Sequence, residues 1–82
     1  MKYRIAWFRK FSYEQAFQLV DPAVYVAENI EIAEAQLKYL EKVCYNADPD
    51  GTVVVTKHRV RAHYTLSYGE MVTHVYKIIE ED

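Results

Sequence analysis

Cysteine occurs once in this chain, at Cys44, which excludes an internal disulfide and a multi-cysteine metal site. Glycine and proline are nearly as scarce, at two residues each in 82, so most of the chain is expected in regular elements and no glycine-rich phosphate loop is present. Serine stands only at Ser12 and Ser67, neither with a histidine in a triad-like context. No apolar run reaches the roughly 18 residues of a membrane span, because charges or amides interrupt every candidate. Glu14, Gln15 and Gln18 likewise break the stretch after the basic N-terminus, which is not read as a signal peptide. These absences set the expectations: a cytoplasmic protein in a reducing compartment, with no membrane association, no cofactor, no metal and no enzymatic activity.

What is present is apolar and aromatic. Hydrophobic residues make up 51% of the chain and aromatic ones 15%, too rich a composition for a disordered segment. A single domain over 1–82 is expected, near the lower size limit for folding on one core. A chain this small without staples often gains stability from a partner, and a homodimer is one such arrangement.

The formal net charge of −2 hides a segregation. Residues 1–20 carry Lys2, Arg4, Arg9 and Lys10 against Glu14, whereas 21–51 hold seven acids against Lys38 and Lys42. Residues 52–79 turn basic again with Lys57, Arg59, Arg61 and Lys77 against Glu70, and Glu80, Glu81 and Asp82 form an acidic tail expected to fray. Such asymmetry bears on surface fields and partners.

Along the chain, KYRIAWFR over 2–9 alternates with period two and reads as a strand, with Tyr3, Ile5 and Trp7 inward. Residues 12–20 fit two templates. Ser12 with Gln15 suits a capping box with a Phe11–Ala16 staple, yet Tyr13, Gln15, Phe17 and Leu19 alternate as in an edge strand. The strand is favoured, continuing past Pro22 into Ala23–Ala27, since an edge tolerates proline. A helix follows from Asn29 to about Asn46, with Asn29 as N-cap and Ile30, Ala33, Leu37, Leu40 and Cys44 as its apolar stripe. Asn46–Gly51 stops it.

The stretch Thr52–Ser67 is the longest β-favouring run, and as one strand it would span about 53 Å, too long to stay straight in so small a domain. Val53 and Val55 are odd whereas Val60, Ala62, Tyr64 and Leu66 are even, so a bulge or bend near Thr56–His58 is expected to bring both sets to the core. A loop Tyr68-Gly69-Glu70 sets Leu66 opposite Val72, Tyr64 opposite His74, Ala62 opposite Tyr76 and Val60 opposite Ile78, giving one nearly apolar face. Arg61 then faces Lys77 and His63 faces Val75. Gly69 in mid-loop is at odds with the usual three-residue hairpin, which wants glycine last. The expected architecture is α+β: a small antiparallel sheet with one amphipathic helix packed on one face, ββαββ-like.

None of the candidate chemistries converges. His58 and His63 lie five apart on a strand and point to opposite faces, as do His63 and His74, and no carboxylate completes a ligand set. Cys44 belongs to the apolar stripe and reads as a packing residue. The basic face remains: Lys57, Arg59, Arg61, His63 and Lys77, with Tyr68 at the hairpin tip. Its bland alternative is a solvated strand face whose cations discourage aggregation. Eight tyrosines are more than so small a core can bury, and Tyr13, Tyr25, Tyr39, Tyr45 and Tyr68 are expected at the surface, where tyrosine favours protein contacts. The sequence thus points to a non-catalytic protein-interaction module, an inhibitor or adaptor of the size encoded by phages and mobile elements, docking through a basic, tyrosine-containing sheet face. The alternative is a nucleic-acid-binding module using Lys57, Arg59 and Arg61, disfavoured by an isoelectric point near 5.9.

Overall fold

The computed structural model describes residues 2–48 and 50–81. Its elements are β1 (Lys2–Phe11), β2 (Gln18–Ala27), α1 (Ile30–Ala47), β3 (Thr52–Thr56), β4 (Arg59–Thr65) and β5 (Met71–Glu81). The strands form one antiparallel sheet in the order β2-β1-β5-β4-β3, with α1 joining the two marginal strands. The α+β architecture expected from the sequence is therefore present, with one strand more than ββαββ implies.

α1 starts and stops where local chemistry dictates. Asn29 keeps an extended backbone, and its Oδ1 accepts the Ile32 N–H at 2.9 Å, satisfying a donor that the first turn cannot pair internally. At the other end the Asp48 N–H bonds the Cys44 carbonyl, and Asp48 Oδ1 accepts the Asp50 N–H at 3.1 Å to turn the chain. Pro49 of this turn lies outside the described residues. Gly51 follows because a Cβ there would stand 2.9 Å from Tyr64 Cβ and 3.0 Å from the His63 carbonyl oxygen. Ala33, Leu37 and Cys44 are buried in one cluster with Ile5, Ala27, Val60, Ala62 and Ile78, the residues that the odd–even alternation directs to one side of the sheet.

The long β-favouring run is corrected. Its break is a complete reversal at Lys57–His58, and β3 pairs back on β4 through Val53↔Ala62 and Val55↔Val60. The parity argument holds, since both valines reach the helix side, but a hairpin and not a bulge achieves it. Among the described residues none other than glycine has a positive φ, so this turn lacks the backbone shape that two-residue hairpins favour and carries none of their Asn-Gly or Gly-rich signature. Thr56 Oγ1 caps it by donating to the Arg59 carbonyl at 3.4 Å.

The β4–β5 register is slipped by two residues from the expected one. Tyr64 pairs with Val72, Ala62 with His74, Val60 with Tyr76, Arg61 with Val75 and Arg59 with Lys77. A slip of two preserves parity, so every face assignment stands while every partner changes. The loop is Ser67-Tyr68-Gly69, closed by the Leu66 N–H on the Glu70 carbonyl at 2.7 Å, and Gly69 occupies its last position at φ +92°. That is where a three-residue hairpin wants glycine.

Residues 12–17 are neither helix nor strand. The Glu14 N–H bonds the Phe11 carbonyl in a turn, which overturns the favoured strand here, and Ser12, the cap in the helical alternative, instead donates its hydroxyl to Glu70 across the sheet end. β2 does run through Pro22 as an edge strand. Glu80 and Glu81 are not frayed: they are the last rungs of β5 against Tyr3 and Lys2, while Asp82 lies outside the described residues.

Two glycine substitutions test these turns. Gly51→Ala is expected to cost about 1–3 kcal/mol through the clash with Tyr64, and Gly69→Ala about 1–2 kcal/mol through the left-handed backbone. Urea unfolding midpoints measure both.

A candidate docking face on the open side of the sheet

α1 lies across one side of the sheet, and the smallest principal extent of the Cα trace is 17 Å, room for a sheet and a helix but no third layer. The opposite side is therefore open. Register fixes what it presents. One row runs Leu19–Phe8–Val75–Arg61–Val54 and the next Ala6–Lys77–Arg59–Thr56. Lys10–Thr73–His63–Thr52 lies beyond on one side, with Val26–Arg4–Ile79 and Lys2–Glu81 on the other.

The strands thus place Lys2, Arg4, Lys10, Arg59, Arg61 and Lys77 on this side, against a single carboxylate, Glu81, which pairs with Arg4 Nε at 3.4 Å. A Leu19–Phe8–Val75 strip runs between the cations. His63 lies in the row beside it at half burial, its Nδ1 2.7 Å from Thr73 Oγ1, and Thr73 is itself buried. The other side of the domain is acidic. Glu28, Glu31, Glu34, Glu41, Asp48 and Asp50 belong to α1 and its flanks, opposed by Lys38 and Lys42. The charge blocks of the sequence have become two faces of opposite sign.

Arg59, Arg61, His63 and Lys77 stand where the sequence put them, on the open side. Lys57 does not. It occupies the β3–β4 turn and borders a groove of about 340 Å³ between α1 and β3, lined by Glu34, Leu37, Lys38, Glu41, Val55 and Thr56. Next to it, His58 Nε2 lies 3.6 Å from Glu34 Oε2, pinning the turn to the helix. Tyr68 is 74% exposed at the β4–β5 tip, outside the strand rows. The open face is also not tyrosine-containing: Tyr3, Tyr25, Tyr64 and Tyr76 share the register of Ile5 and Ile78 on the helix side. Tyr25, expected at the surface, is packed half-buried against the core, whereas Tyr13, Tyr39, Tyr45 and Tyr68 are exposed. Arg4, Lys10 and Phe8 were missed as site residues, although the even positions of the first strand already set them opposite the inward Ile5 and Trp7.

On the helix side an aromatic group extends the core. Trp7 stacks on Tyr76 with centroids 6.0 Å apart and donates its indole N–H to His74 Nδ1 at 3.0 Å. Tyr64 packs on the other side of the same imidazole. Burial pushes the Tyr76 hydroxyl up to about 12, and burial first, with Arg9 second, holds His74 below its ordinary value of 6.5. His74 accepts from Trp7 only when Nδ1 is unprotonated, so geometry and titration agree on a neutral ring. Cys44 is buried and its thiol is pushed up, first by burial and then by Glu41, as befits a packing residue. Among the described residues no group of His, Cys, Asp and Glu could hold a metal, and no helix is long and apolar enough to cross a membrane.

Compared with protein-family models, curated proteins and solved structures, the chain shows no match.

The lowered His74 has a stability consequence. The unfolded chain takes up a proton near pH 6.5 that the folded ring resists, so the stabilisation from neutral His74 is complete above that pH and lost as pH falls through the lower folded value. His74→Phe is expected to flatten the decline of unfolding free energy between neutral pH and pH 5 relative to wild type. Fluorescence of Trp7, the single tryptophan, should report the same titration in wild type alone.

Proposed function

We propose that this domain is a non-catalytic interaction module, an inhibitor or adaptor, that docks on an acidic protein surface through the open side of its sheet. The observation that carries this is the composition of that face: six strand-borne cations around the Leu19–Phe8–Val75 strip, with one carboxylate among them. Apolar area supplies affinity at a protein interface, and surrounding charge supplies orientation and rate. Arginine, present three times on this face, is among the residues that most often dominate such contacts.

The choice of protein over nucleic acid rests on aromatic placement. Sheet surfaces that hold single strands stack bases on exposed rings. Here the strands contribute two rings, Phe8 and His63, both half-buried, and the His63 ring is engaged with Thr73. The exposed tyrosines lie on α1 and on the loops. A buried, unactivated Cys44 suits a cytoplasmic setting, and the size suits an inhibitor of the kind that phages and mobile elements encode.

The test is affinity capture from native cells with wild type and with Arg59→Glu/Arg61→Glu in parallel, beside titration of both with fluorescent single-stranded and duplex oligonucleotides. Wild type should retain a partner with an acidic surface that the variant loses, and oligonucleotide binding should be negligible at low salt. A tight, salt-dependent oligonucleotide affinity that the variant abolishes would replace the protein partner with nucleic acid.

A further inference from the structure

The two marginal strands are treated differently. β2 is blunted: Pro22 has no N–H, the Ala23 N–H is taken by Asp21 Oδ1 at 2.9 Å, and two register shifts distort its pairing with β1. β3 carries no such device. Thr52–Thr56 reads TVVVT, without charge, proline or glycine, and Val54 and Val55 are 54% and 42% exposed. A bare edge of β-branched residues is a template for pairing with another strand.

The turn determines which main-chain groups are free. A two-residue hairpin closes on Thr56–Arg59 as a hydrogen-bonded pair, so by alternation Thr52, Val54 and Thr56 direct their N–H and C=O groups to β4. Val53 and Val55 direct theirs to the outer edge.

The five residues also read the same in both directions about Val54. We propose that β3 pairs antiparallel with β3 of a second copy, about a two-fold axis at Val54, to give one sheet running through both chains. In this register Val53 meets Val55 of the second copy, and the outward groups of each pair satisfy one another. Every cross-strand pair joins like with like, valine to valine and threonine to threonine, combinations that stabilise adjacent strands. A register displaced by two residues sets one of these valines against Gly51 or Lys57 instead. The rim of the groove beside β3 holds Glu34 and Glu41 with Lys38 and Lys57, so this edge brings no net charge to repel its copy. The two-fold axis is perpendicular to the sheet. Both helices stay on one side, and the two basic faces join on the other, although the pairing itself does not depend on what those faces bind.

An edge contact of this size is expected to be weak, with Kd on the order of 10 µM. Sedimentation equilibrium over a concentration series tests it on wild type, Val54→Lys, Val54→Glu and an equimolar mixture of the two variants. Val54 would meet its own copy at the two-fold axis; within the chain its cross-strand neighbour is Arg61, and it is exposed on the open side, so each variant should remain folded by circular dichroism and become monomeric by self-repulsion. The mixture should dimerise. A wild type that stays monomeric to about 500 µM, well above that Kd, overturns the proposal. So does a Val54→Lys variant that dimerises as wild type does, or a mixture no more associated than its components.

Discussion

Seating α1 on the middle of the sheet is the contact on which the remaining structure depends. The helix must run from the end of β2 at one margin to the start of β3 at the other, and Ala33, Leu37 and Cys44 are its buried residues. Beneath it Ile5, Val60 and Ala62 are fully removed from water. One helix of 18 residues has a single apolar stripe and can cover one side of a five-stranded sheet, not both. That limit leaves the opposite side open and gives strand parity its meaning. It also removes the need for β-helix packing on the far side, where small Ala6 is buried among longer strand neighbours.

Charge follows the same division. The acids cluster on the segment that covers the sheet, and the strands direct Arg4, Lys10, Arg59, Arg61 and Lys77 away from it. Arg59 directly opposite Lys77 is mildly unfavourable for the sheet alone. Long side chains reaching into water reduce that cost, and an acidic partner would reverse it. A near-neutral total charge thus coexists with a strongly polar distribution, the pattern that steers association without making the whole chain basic.

How much was legible in the sequence followed the range of the signals. Asn29 and the stripe from Ile30 to Cys44 are local, and the structure reproduces that helix to within a residue. Parity along a strand is local too, so the inward and outward sets of β1, β4 and β5 were readable before any pairing was known. Register was not, because a two-residue slip leaves the hydrophobic pattern intact. Only the backbone demand at Gly69 selects the right loop. The Lys57–His58 reversal was invisible for a different reason: it uses ordinary residues at negative φ, held by Thr56 and by His58 against Glu34. Ser12 shows the converse. Its local pattern signals a helix cap, but Glu70, distant in sequence, claims its hydroxyl.

The most direct measurement of the central claim maps the contact itself. Isotope-labelled protein is titrated with a glutamate-rich peptide carrying interspersed leucines, and amide shifts are followed by nuclear magnetic resonance. The account predicts saturable shifts confined to the open-face rows, at Phe8, Lys10, Arg59, Arg61, Val75 and Lys77, weakening with salt. Shifts centred on the outer surface of α1, or none at low ionic strength, would contradict it.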